Sequence, residues 1–372
     1  MIEAVRERRA VGDAVEEIEE QVRLLLGARE PRARAHGPRF AHLWDIASEC
    51  LLGGKLLRPR LLIGAFDALA AGPAAEASRR RSALRISAAV ELLHFSFLLH
   101  DDVIDEDLIR RGAPNAIGRL LGGTGAESPA ASEARRSEGR RLHWARSNAI
   151  LLGDLMLAAV HQVFAREAVP EAMRVRLLDL LDRTITESVA GEQHDIGLSD
   201  GVIASDLDEV LEMSRLKTAT YTFELPLRAA AILAGADARL EEELGAIARH
   251  LGVAFQLQDD LLCAFGDSRE HGKDPFSDFR EGKETAIIAY ARTTSAWSRI
   301  DPKLGAGDFG DEDGRALRSL LRECGAERAI RSMVDERIRA AVGIVCQEEP
   351  AIPRALMRFL LGVVEALDGR RG

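Results

Sequence analysis

Apolar residues along this chain recur at spacings of three and four almost everywhere; Val11, Val15, Ile18, Val22, Leu25 and Leu26 are one run of this kind. That period places them on one face of a helix. No stretch shows the two-residue alternation, bounded by Gly or Asn turns, that marks a half-buried strand. The pattern predicts helices over 11–27, 60–70, 82–100, 145–165, 171–196, 207–233, 240–265, 284–298, 314–323, 326–346 and 351–367. The segment "ARAHGPRFAH" (33–42) reads as a break. Abundant Ala, Leu, Arg and Glu favour helix over strand as well. The expected fold class is therefore all-α.

With 372 residues, 47% of them apolar and 30% charged, the chain can bury a substantial core. It reads as one domain over 1–372 with a helical arm at 1–35. Residues 122–139, rich in Gly, Ala, Ser and Glu, read as a mobile surface loop. A charged stretch with Gly and Pro, "FGDSREHGKDPFSDFREGKE" (265–284), reads as a functional loop. The formal net charge of −10 argues against a general nucleic-acid binder. Cys50, Cys263, Cys324 and Cys346 are scattered, with no CxxC pair, and fit free thiols in a reducing cytoplasm. The charged N-terminus lacks the apolar core of a signal peptide. No uninterrupted apolar run reaches about 18 residues, so no membrane span is expected.

Two acidic segments carry the functional signal. In "HDDVIDEDLIRRG" (100–112), five carboxylates fall within seven residues just after the apolar run "ELLHFSFLL". Asp101 and Asp105 are one turn apart on one helix face, and Asp102 is adjacent. Burying such a cluster without cations is very costly. It is either a solvated helix end or a divalent-metal site. Hard oxygen donors without His or Cys suit Mg²⁺, which commonly bridges to a substrate phosphate. The second segment, "GVAFQLQDDLLCAFGD" (252–267), again ends an apolar helix and presents Asp259 and Asp260, with Cys263 four residues after Asp259. Two such helix ends favour the metal. Cationic residues supply the other half: Arg110 and Arg111, Lys273 in "HGKD", Lys55 and Arg58 in "GGKLLRPRL", and Lys217 beside Thr218 in "RLKTAT". Arg suits bidentate and Lys point-charge contacts to phosphate. Together these groups describe a diphosphate pocket.

From about residue 40 to 290 this ordered set resembles the trans-type isoprenyl diphosphate synthases, the polyprenyl synthetases. The shared motifs are DDxxD with RRG (Asp101, Asp102, Asp105, Arg110, Arg111, Gly112), GKxxRP (Gly54, Lys55, Arg58, Pro59) and His94. Gly153–Asp154, Lys217–Thr218, FQxxDD (Phe255, Gln256, Asp259, Asp260) and Gly272–Lys273 complete the series. The resemblance implies an isoprenoid synthase-type bundle around a deep central cavity, usually as a homodimer. It implies head-to-tail joining of isopentenyl diphosphate to an allylic diphosphate, with three Mg²⁺ ions when the allylic diphosphate is bound. Asp101, Asp105 and Asp259 are the implied metal ligands, and Arg110, Lys217 and Lys273 the cations around that diphosphate. Asp102, Gln256 and Thr218 belong to the same catalytic and binding set. Lys55, Arg58, His94 and Arg111 are the implied residues for isopentenyl diphosphate.

Product length should depend on the cavity wall, for which Phe95, Ser96 and Phe97 are the candidates. Bulky Phe97 and small Ser96 favour a C20 product, geranylgeranyl diphosphate, over C15 farnesyl diphosphate. Two departures stand out: Cys263 where the family often has a third Asp, and Glu192 in "GEQHD" where it has Gln. A class I terpene cyclase would replace the second DD by an Asn/Asp, Ser/Thr, Glu triad and would not need GKxxRP. A non-catalytic partner subunit usually loses one Asp motif, and both pairs are present here.

Overall fold

Helices take up nearly all of the residues that the computed structural model describes, which are 2–70, 73–110, 112–122, 131–266, 276–347 and 352–369. The fold is all-α, as the periodicity predicts. The β structure among the described residues is one antiparallel pair of two-residue strands, β1 (Ile109–Arg110) and β2 (Ala113–Pro114), in register Ile109 to Pro114. No strand was expected, because two residues cannot display a period. The chain forms two compact units, one comprising residues 1–63 and 71–178, the other residues 64–70 and 179–372.

In the first unit, α5 (Pro73–Ile104) packs along α7 (Ala131–Arg166), with α1 (Ile2–Gly27) on another side of α5. Ile86, Ala88, Ala89, Val90 and Leu93 of α5 are fully buried. The α5 backbone is therefore enclosed, and its polar last turn is fixed in place. At its other end, Glu167 accepts from Ser82 at 2.7 Å and from Arg85 Nε at 2.9 Å. The expected break at 33–42 is narrow: α2 (Glu30–Ala35) and α3 (Pro38–Leu51) flank His36 and Gly37. Gly37 has φ +95°, and Pro38 opens α3, where a missing N–H does no harm.

α6 (Ala116–Gly122) packs on α7. Part of the expected loop at 122–139 is helical, since α7 begins at Ala131; residues 123–130 lie outside the described set. Two helices bear on the expectation of no membrane span. By length and mean hydropathy, 1.4 in each case, Ala77–Ile104 and Ser137–Arg166 could cross a membrane. The first is 83% buried within the protein, as a core helix would be.

The second unit is built on α11 (Ala238–Phe265), started by the Asp237 carboxylate, which accepts from Leu240 N at 2.9 Å. Around it lie α9 (Leu207–Ser214), α10 (Leu225–Ala234), the helix Ala326–Val345 and a ten-residue π-helical segment, Arg215–Glu224. α8 (Glu171–Ser199) lies in this unit from Asp179 onward. Within the expected loop at 265–284 the short helix Ser277–Glu281 forms.

Candidate active site

In the first unit, the end of α5 carries the first acidic motif. The Asp105 N–H donates to the Asp101 carbonyl at 2.8 Å, so the helical turn runs through the motif. Asp101 and Asp105 are partly exposed, whereas Asp102 is only 3% exposed. The β1–β2 hairpin turns the chain back at Gly112, whose φ of +74° favours glycine, and this returns Arg110 to the aspartates. Arg110 donates from Nε to Asp102 at 2.8 Å and from Nη2 to Asp102 at 2.5 Å and Asp101 at 3.2 Å. Burial pushes the Asp102 carboxyl above its ordinary range, and Arg110 opposes that shift.

Asn115, which the sequence reading passed over, locks the turn. Its amide donates to the Asp107 carbonyl at 2.8 Å, and its Oδ1 accepts from Gly118 N at 2.9 Å. Asn before the apolar run 116–121 is a helix-start signal that could have found it. His100 pairs with Asp154 at 3.3 Å over Gly153, where a Cβ would come within 2.6 Å of its ring.

The same unit holds the residues expected to bind isopentenyl diphosphate. Lys55 is exposed in the loop before α4 (Leu57–Leu69), Arg58 is partly exposed in its first turn, and His94 is buried on α5. Arg111 lies outside the described residues. Of the three chain-length candidates, Phe95 and Ser96 are buried and Phe97 is partly exposed. The Ser96 hydroxyl donates to the Gly153 carbonyl at 2.8 Å, which commits it to the packing of α5 on α7.

In the second unit the π-helical segment and α11 assemble the other motif. Asp260 is 6% exposed and Asp259 partly exposed. Gln256 donates to Asp260 at 2.8 Å and accepts from the Thr218 hydroxyl at 2.9 Å, so the buried carboxylate is linked to the π-helical segment. Lys217 lies 2.5 Å from Asp195 and 3.0 Å from Glu192. The wide winding matches the bond from the Leu225 N–H to the Thr220 carbonyl, five residues back. The Thr220 hydroxyl likewise lies 3.1 Å from the Arg215 carbonyl.

Two glycines admit this wider segment. A Cβ on Gly191 would lie 2.2 Å from the Lys217 nitrogen, and one on Gly252 would lie 2.3 Å from the Ala219 Cβ. Neither was singled out, because each close approach is made by residues remote in sequence. Cys263 is buried against Ser277 at 3.5 Å, and burial, with the Asp278 charge, pushes its thiol up to about 12. Burial therefore keeps it a neutral thiol. Lys273 lies outside the described residues.

Residues 41–313 match the family model of the polyprenyl synthetases. The chain belongs to the polyprenyl synthetase family. It is 30% identical over 274 residues to a geranylgeranyl diphosphate synthase of Methanosarcina mazei, covering 74% of each chain. It is 31% identical over 277 residues to a geranylfarnesyl diphosphate synthase of Aeropyrum pernix, covering 74% of this chain and 77% of that one. A geranylgeranyl pyrophosphate synthase from Corynebacterium glutamicum, crystallised with isoprenyl diphosphate and magnesium, superposes with a TM-score of 0.83 at 26% identity; the match covers 96% of this chain and 98% of that one. This polyprenyl synthetase is a prenyltransferase that makes a short-chain product.

The donor set fits magnesium. The partly exposed carboxylates, Asp101 and Asp105 in the first unit and Asp259 in the second, are hard oxygen donors of the kind that suits this ion. Among the described residues no three His, Cys, Asp or Glu side chains converge on a common point. Mg²⁺ does not require such a cage, since one or two carboxylates suffice when substrate phosphates and waters complete the shell.

Proposed function

We propose that this enzyme joins isopentenyl diphosphate head to tail to an allylic diphosphate and releases mainly geranylgeranyl diphosphate. The observation that carries this reading is the division of labour repeated in both motifs. In each, one aspartate is buried and bonded within the protein, Asp102 to Arg110 and Asp260 to Gln256. The other carboxylates, Asp101 and Asp105 in the first and Asp259 in the second, are partly exposed.

Asp101, Asp105 and Asp259 would hold Mg²⁺ on the allylic diphosphate. When bound, the metal stabilises the charge that develops on the leaving diphosphate oxygens. Arg110, Lys217 and Lys273 add positive charge at the same group. Lys55, Arg58, His94 and Arg111 orient isopentenyl diphosphate, so that its double bond meets the allylic cation. The apolar residues of "ELLHFSFLL" keep water from that cation. The proton lost in the last step passes to the released diphosphate, and no strong side-chain base is required.

Phe97 lies four residues before Asp101, hence on the same helix face, and it alone of the three chain-length candidates is partly exposed. Its bulk favours C20, with C15 as the second reading, since relatives of 30% identity include a farnesyl diphosphate synthase of Mycobacterium bovis. The test is incubation with Mg²⁺, isopentenyl diphosphate and each short allylic diphosphate, followed by sizing of the products. A C20 product is expected, lengthened in Phe97→Ala. Absence of any prenyl product rejects the function, and an unchanged length in Phe97→Ala rejects the role of Phe97.

The enzyme is further proposed to act as a cytoplasmic homodimer. Trp144, Leu151 and Leu155 on α7 are 40%, 58% and 40% exposed and share one face, a surface suited to a second copy. All four cysteines are free, as in a reducing compartment. Sedimentation of the wild type against Leu151→Glu tests the pairing: a dimer that dissociates in the variant is expected, and a monomeric wild type contradicts it.

A further inference from the structure

The helix Asp311–Glu323 carries three arginines, of which Arg318 and Arg322 lie one turn apart, outside every motif described above. Arg318 Nε donates to the Ala264 carbonyl at 2.7 Å, and its Nη2 donates to the Gly266 carbonyl at 3.3 Å. These carbonyls lie at the C-terminal end of α11, where a helix has no internal donors left to offer. A cation there also complements the helix dipole. The Arg322 guanidinium lies 5.4 Å from the ring centre of Phe265, the last residue of α11.

The Arg318 guanidinium has a second contact, 4.5 Å from the centre of the Phe276 ring. Phe276 has φ +70°, a left-handed conformation that a bulky side chain avoids. A strained residue of this kind persists only where its surroundings over-determine it. Here the ring is buried over Gly314, where a Cβ would come within 2.3 Å of it, and it stacks on Phe279 with centres 6.1 Å apart. Phe276 is the N-terminal cap of the helix Ser277–Glu281, and Ser277 touches Cys263 of α11. One guanidinium thus joins the last turn of α11 to the Phe276 turn. Asp259 stands on α11 less than two turns before Ala264.

We propose that Arg318 is a positioning residue for diphosphate binding: by tying the end of α11 to the Phe276 turn, it holds Asp259 ready for the metal-bound diphosphate. The proposal rests on the diphosphate-binding function given above. Removing the tie frees the last turn of α11 to fray, and the ordering must then accompany binding and weaken it.

The test measures titration of Mg²⁺ with inorganic pyrophosphate, and KM for each substrate, on the full-length chain. For Arg318→Met, pyrophosphate affinity is expected to fall and the KM for the allylic diphosphate to rise, each about tenfold. The KM for isopentenyl diphosphate is expected to change less than about twofold. Arg318→Lys, which keeps a charge and a donor, should recover part of the loss. Gly314→Ala, which displaces the Phe276 ring without touching Arg318, should give the same selective loss and serves if Arg318→Met does not fold. Unchanged pyrophosphate affinity in these variants, or equal rises in both KM values, overturns the proposal. A wild-type chain that binds no magnesium pyrophosphate overturns the diphosphate-binding function itself, and the role of Arg318 with it.

Discussion

At the end of α5 the buried carboxylate, Asp102, is bonded to a guanidinium; near the end of α11 the buried carboxylate, Asp260, is bonded to an amide. Arg110 is itself expected to serve the substrate, so at the first motif one side chain answers both to the protein and to the ligand. At the second motif the amide relays the contact onward, from Asp260 through Gln256 to Thr218, and the cation Lys217 is held apart by Glu192 and Asp195. The difference teaches that the two motifs keep a carboxylate in place by different means. The first relies on an ion pair and the second on hydrogen bonds.

Substitutions can break or sharpen this contrast. The largest effect is expected where the motifs agree: Asp101→Asn and Asp259→Asn should each lower kcat/KM by about 10²–10³-fold in steady-state assays. A loss confined to one of them would end the parallel. Next come the partners of the buried carboxylates. Arg110→Met leaves Asp102 buried beside no guanidinium and should lower unfolding stability by about 3 kcal/mol in urea titrations. Gln256→Met removes an amide hydrogen bond and should lower it by about 1–2 kcal/mol. The reverse order would contradict the contrast. Glu192→Gln removes one of the two carboxylates on Lys217 and should tighten pyrophosphate binding roughly threefold, the scale of a partly exposed ion pair. Weaker binding would show that Glu192 supports the site rather than restrains it.

The smallest effect concerns pH. Burial, opposed by Arg249, raises the Glu224 carboxyl at the end of the π-helical segment above its ordinary 4.5. A raised carboxyl contributes stability below its unfolded value, and that contribution is lost as pH rises through the folded one. The melting temperature of the wild type should therefore lose this contribution as pH climbs above 4.5, and Glu224→Gln should not. Identical pH slopes would contradict the assignment.

What the sequence makes legible here is what local spacing encodes. Asp101 and Asp105 one turn apart, and the apolar periods of α5 and α11, need no distant partner to be read. The return of Arg110 onto Asp102 depends on the hairpin turn at Gly112, and two-residue strands carry no period. The π-helical segment is hidden for another reason: over ten residues its winding is hard to tell from a run of ordinary helix. The glycines that admit it, Gly191 and Gly252, lie on two other helices. Arg318 lies more than fifty residues from the carbonyls it serves, so no local pattern could have marked it. Ser96 marks a different limit. Its small size suggests cavity depth, whereas the partner of its hydroxyl, the Gly153 carbonyl on α7, is known only from the fold.

The most direct measurement is the magnesium dependence of turnover in four variants, Asp101→Asn, Asp102→Asn, Asp259→Asn and Asp260→Asn, each with its melting temperature. Asp101→Asn and Asp259→Asn should need more magnesium for half-maximal activity at little change in melting temperature. Asp102→Asn and Asp260→Asn should melt earlier and keep the wild-type magnesium requirement. If the buried pair shifts the magnesium requirement and the partly exposed pair does not, the division of labour at both helix ends is wrong.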